Sequence, residues 1–511
     1  MLYIMLFLGE IVMRTQVSRR TILFSVLAAS SGLVAACSGG LVASVSENSS
    51  KKKVIRIAIG TQDQVINTAT GGPVIREEKL LEKYLPKTGK YENVEYKIEW
   101  SSYTSGPPIT NKMLANQIDI GMMGDFPATI NMTTFQKKGG GVKTLYVATL
   151  GYGATGAGNA VLVPKDSSIK TLADLRGKQV SVPFGSAAHG MLLKALQDSG
   201  LDSEKDLKLI SQAPEVGGTS LRTNQIDAHA NFVPFGELFP FRGFARKIFD
   251  GAQTGVPTFH GVLVRSDFAQ QYPEIVVAYL KALLEANKML REQPEAIATK
   301  VEEWSGVERE VVYMFLGPGG LQRLNPTIRP VNFDALKNSV ITLKQLKRLE
   351  EDVNPNDISQ WADDSFLKQA IQEMNLKYDD LATGDEFPIE GLDAVTQEPI
   401  KDTKLAAQIW VKGEEKVMNF ASIKTMMGML QKLKADGKKA TGAIFVHDFN
   451  QGWKLFAENS FFVRKGDEIV AFLSEKAAQN HASKIGAQVA SFKALQDLSA
   501  REISRPAGAY S

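Results

Sequence analysis

Cysteine is almost missing from this chain. Cys37 is the single one in 511 residues, so no internal disulfide can form. Net charge is almost missing too: 59 Lys and Arg stand against 56 Asp and Glu, a formal +3, and no global field points to a nucleic-acid partner. Past the N-terminal region no segment approaches 18 consecutive apolar residues, so nothing later in the chain reads as a membrane span. No Ser-His-Asp order, phosphate-binding loop or zinc-spaced Cys/His set occurs, and the common enzyme classes find no support. What is present is a chain that is 44% apolar, long enough for two or three globular units with cores of their own.

The N-terminus reads as a targeting segment. Arg19-Arg20 precede an apolar run from Thr21 to Ala36, about 16 residues, short for a span and suited to a signal sequence. It closes on Leu33-Val-Ala-Ala-Cys37, which resembles the lipobox of bacterial lipoproteins. Ser18 to Leu23 loosely resembles a twin-arginine export signal, and Met13 offers an internal start. On that reading residues 1–37 are the signal, Cys37 is lipidated, and the mature chain is tethered at the outer face of the cell membrane. A chance thiol is the alternative. Residues 38–53, rich in Ser, Gly, Asn and Lys, read as a flexible tether.

From Val54 onward strand and helix patterns alternate, which predicts an α/β fold with largely parallel sheets. Val54–Gly60, Tyr91–Trp100 and Leu145–Leu150 read as strands, and Ile75–Tyr84 and Ile109–Asn116 as helices. Ligands in such sheets sit beyond the carboxyl ends of strands. The most informative stretch runs from Lys178 to Leu196. Val180 and Val182 alternate as in a strand, and Gly185 permits a tight turn. Ser186 is an N-cap type, and Met191, Leu192, Ala195 and Leu196 recur at helical spacing. A helix N-terminus beside a hydroxyl and the imidazole of His189 suits an anion. An ordinary capped helix is the alternative.

Four stretches together carry a resemblance. They are Ser105-Gly-Pro-Pro with Ala115 to Ala128, Ser168 to Lys178 with Gly185 to His189, Gln225 to Phe235, and Phe268 to Leu283. Over roughly residues 54–375 the chain resembles the solute-binding proteins of nitrate/sulfonate/taurine ABC transporters. That resemblance implies two α/β lobes of the type II periplasmic-binding-protein fold, joined by a hinge. Lobe one would take residues 54–150 and 261–375, and lobe two 151–260. It implies capture of a small oxyanion or zwitterion between the lobes and delivery to an inner-membrane ABC permease, by an extracytoplasmic monomer without a cofactor or covalent chemistry. The site residues it suggests are Gln62, Ser105, Gly106, Gly124, Asp125, Tyr152, Gly185, Ser186, Ala187, His189, Asn231 and His260. The chain departs from the family pattern at Asn231 and Phe232, where an aromatic platform is usual. His189, in the first turn of its helix, is expected neutral because the dipole disfavours its charged form. Asp125 either favours a ligand that also carries an ammonium group, as taurine does, or caps the helix that follows. Glu237 is expected to be a solvated carboxylate.

Residues 376–404 read as a linker, and 405–511 as a small α+β domain. The helix holding Met426–Met429, the Phe445–Asp448 strand and the run from Val470 onward resemble the copper-binding lipoprotein that assists nitrous oxide reductase maturation. Soft ligands for Cu(I) would be Met426, Met427, Met429 and His447, with Met418 nearby. Core methionines on an amphipathic helix are the alternative. Two further functions stay open: copper handling through this domain, and binding or synthesis of thiamine-pyrimidine precursors on the same two-lobed fold.

Overall fold

The alternation at Ile55, Ile57 and Ile59 predicts a strand with one face in a core, and all three side chains are buried in β1 (Lys53–Thr61). The computed structural model describes residues 52–349, 352–384, 386–437 and 442–503. The signal region, Cys37 and nearly all of the tether lie outside the described residues. β2 (Val94–Ser102), β3 (Ile120–Gly124) and β4 (Thr144–Gly153) follow β1. The chain then enters a second sheet, made of β5 (Ala160–Pro164), β6 (Gln179–Val182), β7 (Lys208–Ser211), β8 (Ala228–Asn231) and β9 (Ala245–Asp250). β10 (Thr258–Arg265) returns to the first sheet, which β11 (Arg323–Leu324) completes. The strand orders are β11-β4-β10-β3-β1-β2 and β7-β6-β8-β5-β9. The two sheets with their helices are the two lobes.

The expectation of largely parallel sheets is corrected. β1 runs parallel to β2 and β3, but β10 is antiparallel to both its neighbours, β3 and β4. In the second sheet β6 is parallel to β7 and β8, whereas β5 is antiparallel to β8 and β9. The chain crosses between lobes twice, and each crossing delivers a strand running against its neighbours. The crossings lie side by side, with the Gly251 N–H donating to the Asn159 carbonyl at 2.7 Å.

The helix expected over 75–84 is two short helices, Pro73–Glu77 and Leu80–Tyr84, because Lys79 takes a left-handed conformation (φ 52°) between them. The helix expected from Ile109 begins earlier, at Gly106, with Pro107 in its first turn where the missing N–H costs nothing. The long helix Pro273–Glu292 buries Ile275, Val276, Tyr279, Leu280 and Leu283 along one stripe.

The C-terminal residues form a four-stranded sheet ordered β13-β12-β14-β15 and a three-stranded one ordered β17-β16-β18. Their ranges are β12 Ala407–Trp410, β13 Met418–Phe420, β14 Ala443–His447, β15 Lys454–Phe456, β16 Phe461–Lys465, β17 Glu468–Phe472 and β18 Val489–Ser491. β14 alternates strictly. Ile444 and Val446 pack on the helix Ile423–Ala435, and Phe445 packs on lobe one. The second face is held by Tyr313, whose ring lies 5.2 Å from Trp410 and 5.6 Å from Phe445, with the Arg309 guanidinium 4.5 Å above Trp410. Phe456 also meets Phe241 of lobe two at 5.1 Å. The stretch read as a linker is no free tether. Tyr378–Thr383 is helical, and Ile389 and Asp393 are buried. The Asp393 carboxylate accepts from the Ala421 N–H and the Thr425 hydroxyl.

Candidate functional site

The strand–turn–helix read at 178–196 forms as the residue types require. Gly185 has φ 77°, and the Ser186 hydroxyl accepts from the His189 N–H at the start of the helix Ala187–Asp198. Among the described residues no backbone group accepts from the Ala187 and Ala188 N–H groups, as expected in the first turn of a helix. This helix end belongs to lobe two and faces lobe one. A Cβ on Gly124, at the end of β3, would lie 3.5 Å from Ala187 Cβ and 3.5 Å from His260 Nε2. Three expected residues, Gly124, Ala187 and His260, therefore meet where the lobes touch.

Both imidazoles there are neutral donors. His189 Nδ1 accepts from the Gly185 N–H at 3.1 Å, and His260 Nδ1 faces the Asn67 amide at 3.2 Å. With Nδ1 accepting, Nε2 carries the proton in each ring. Burial lowers each to about 4, and the positive Arg348 adds to the effect at His189. His189 is neutral as expected, but burial is the leading cause rather than the helix dipole. Its ring is stacked on Phe184 at 4.8 Å and meets the edge of Phe126 at 6.3 Å.

The other expected residues divide. Gln62 is buried and donates to the Met122 carbonyl at 2.8 Å, bracing the loop after β1 against β3. Ser105 sits at the N-cap of the Gly106–Leu114 helix without a side-chain cap bond. Gly106 lacks a Cβ that would stand 2.5 Å from Pro127 Cβ, so it allows two lobe-one helices to close together. Pro107 reaches lobe two at Gly185, with its Cγ 3.2 Å from a Cβ built there. Tyr152 is not brought to this junction. It pairs with Phe259 across β4 and β10 and packs in the core on the face away from Val262, under the Arg329 guanidinium at 4.3 Å. His260 shares the face of Val262, the next residue but one on its strand. Asn231 is spent inside lobe two. Its amide lies 2.9 Å from His229 Nε2 and its carbonyl oxygen accepts from the Phe232 N–H.

Asp125 is neither an open counter-ion nor a cap. Its carboxylate accepts from the Thr258 hydroxyl (2.6 Å), the Phe259 N–H (3.3 Å) and the Ser339 hydroxyl (3.0 Å), and burial raises it to about 6. It ties β10 and the helix Pro330–Gln345 to the end of β3. Asp125 and Ala187 also border a cavity of about 300 Å³ that runs along Gly190, Met191 and Lys194 of the lobe-two helix. Glu237 is not solvated. It is buried and paired with Lys247, which also meets Asp250 at 3.0 Å.

Sequence reasoning missed Asn67, Gln322 and Arg348. Asn67 sits in a three-residue 3-10 turn and Gln322 follows a glycine loop, and neither belongs to a motif. The Asn67 amide also donates to Gln322 Oε1 at 3.4 Å, and Gln322 Nε2 donates to the Ala157 carbonyl in a hinge crossing at 3.1 Å.

The copper reading does not fit. Met426 and Met427 are buried in the core between the helix Ile423–Ala435 and the sheet, and Met429 packs at its edge. His447 lies on the opposite face of that sheet, with Nδ1 2.8 Å from the Ala406 carbonyl. Among the described residues no group of three or more His, Cys, Asp or Glu could hold a metal ion, and no helix is long and apolar enough to cross a membrane.

Two α/β lobes joined by two side-by-side crossings make a periplasmic-binding-protein fold. Residues 110–297 match the family model described as NMT1/THI5 like. A protein of Escherichia coli (strain K12) named as an aliphatic sulfonates-binding protein is 27% identical over 265 residues, 51% of this chain and 75% of that protein. The taurine-binding periplasmic protein of the same organism is 26% identical over 42% of this chain and 63% of its own length. The periplasmic nitrate-binding protein NrtA of Synechocystis PCC 6803 shares the fold, with a TM-score of 0.50 at 15% identity, over 66% of this chain and 94% of that one.

Proposed function

We propose that this chain is the solute-binding component of an ABC importer, taking up a small oxyanion of the sulfonate, taurine or nitrate type. One observation carries the reading: the first turn of the helix Ala187–Asp198 in lobe two meets lobe one at Gly124, beside the protonated Nε2 of His260. A helix N-terminus of one lobe set against a neutral imidazole N–H of the other suits an anion, which gains most from charge-assisted hydrogen bonds in a dry site. Closure of the lobes completes the donor set, so binding and closure are one event. The names of the similar proteins, for aliphatic sulfonates, taurine and nitrate, agree with that ligand class. The chain binds and hands over its solute to a permease without covalent chemistry. It works outside the cytoplasm as a monomer, anchored by lipid at Cys37.

Thermal-shift measurements on residues 38–511 test this with taurine, alkanesulfonates, nitrate, bicarbonate and a pyrimidine precursor. A ligand of the folded state at a hundred times its Kd adds about 2.7 kcal/mol. A shift with one oxyanion, lost in Gly124→Ala, is the expected result. A shift with the pyrimidine precursor alone, or with none of the anions, overturns the reading.

A further inference from the structure

The contact between lobe one and the C-terminal domain holds groups that the solute site does not use. A cavity of about 310 Å³ opens there, walled by the loop Gly317–Gly320 on one side and by Phe387 and Trp453 on the other. Its border carries more positive than negative charge. Arg291, Arg323, Lys401 and Lys404 border it against Glu386 and Asp402. The wall is already set: Arg291 donates to the Glu386 carbonyl at 3.0 Å and lies 5.3 Å over the Phe387 ring, and Lys404 donates to the Asn450 carbonyl at 3.2 Å.

A second observation points the same way. His447 is fully buried, and its Nε2 has no hydrogen-bond partner. That nitrogen abuts the cavity wall, since a Cβ on Gly319 would lie 2.7 Å from it. Lys454, paired with His447 across β14 and β15, is also fully buried, and its amine makes no hydrogen bond but lies 3.7 Å over the Tyr313 ring. Buried polar groups without hydrogen-bond partners are rare in folded proteins, and the His447 nitrogen stands directly behind the Gly319 wall of the cavity.

We propose that this cavity is a second ligand site, for a small organic anion with a flat apolar body. The cations hold the anionic group, and Phe387 and Trp453 hold the body. Its position makes it an effector site. Gln322 borders the cavity, and its side chain reaches both the hinge carbonyl of Ala157 and Asn67, the residue that orients His260. An occupant therefore sits one side chain from the hinge and two from the solute site.

The test uses residues 38–511 and the fluorescent probe 8-anilinonaphthalene-1-sulfonate, an aromatic sulfonate. Saturable single-site fluorescence enhancement is expected. The double variant Arg323→Ala/Lys401→Ala should weaken it at least tenfold with an unchanged melting curve, and Gly124→Ala should leave it intact. Enhancement that does not saturate, or that the double variant leaves unchanged, overturns the proposal. Enhancement lost in Gly124→Ala also overturns it, because the probe then occupies the solute site. The solute reading fails separately, in the anion screen.

Discussion

Alanine at Gly124 separates the solute site from the fold. Gly124 has φ −69° and ψ 167°, extended backbone open to any residue. Its new methyl would stand 3.5 Å from both Ala187 Cβ and His260 Nε2, ordinary contact distances in the closed protein. The fold should lose only the small difference between Gly and Ala as an N-cap, about 1 kcal/mol or less. The solute should lose far more. An oxygen accepting from His260 Nε2–H needs to approach to about 2.9 Å, and the methyl occupies that approach. Each charge-assisted hydrogen bond lost costs about 1.5–3 kcal/mol. At 1.4 kcal/mol per decade that is about a 10- to 150-fold rise in Kd for one bond. Calorimetric titration with the anion found for the parent, beside a melting curve, reads both quantities. A Kd within twofold of the parent in a well-folded Gly124→Ala protein would refute the placement of the solute between Ala187 and His260.

Other measurements follow from the burial of charge. Asp125 has a folded value near 6 against an ordinary 3.8, so the fold binds its proton more tightly than the unfolded chain does. Its stability contribution is best below about pH 4 and is lost as pH rises through 6. Asp125→Asn should therefore gain on the order of 2–3 kcal/mol at pH 7 in urea denaturation, shrinking to nothing near pH 4; a constant offset across that range would count against it. His189, His229 and His260, each lowered to about 4, act with the opposite sign. Stability present above pH 6.5 is lost as pH falls toward 4, on the order of 3 kcal/mol per histidine, and the acid limb should flatten when His229 is replaced by Gln. Met426→Leu should cost less than about 1.5 kcal/mol and leave copper uptake unchanged, since the side chain only packs; lost copper binding would restore the metal reading. Lys454→Met should raise the melting temperature, because burial pushes the Lys454 amine well down and it makes no hydrogen bond; a loss of stability would show that its contact with the Tyr313 ring outweighs the cost of burial.

Local chemistry made part of this legible. Gly185, Ser186 and the apolar stripe behind them specify a turn, a cap and a helix within a dozen residues, and the structure follows them. Strand direction is different. Nothing in the residues of β10 says that it runs against both neighbours, because periodicity reports which face is buried and not which way the chain travels. Lys79 breaks a helix with a left-handed turn that only Gly or Asn would have signalled. Tyr152 was misplaced for want of one fact, that β4 continues to Gly153, so the ring lies on the opposite face of the sheet from His260. Asn67 and Gln322 are about 255 residues apart in sequence, and no local rule joins them.

The place of β10 in its sheet also sets an order of assembly. It lies between β4 and β3, so the first sheet lacks a central strand until the chain has passed through the whole of the second sheet and come back. At about 5–20 residues per second of synthesis, the stretch from Gly153 to Thr258 takes roughly 5–20 s to appear. During that interval Ile120, Met122, Val147 and Ala148, all buried in the finished fold, have no strand between them to pair with. The second sheet, continuous in sequence, can close first. The half-made first sheet is then the form of this protein most exposed to wrong partners, and the one that a chaperone or an export pathway would have most reason to hold open.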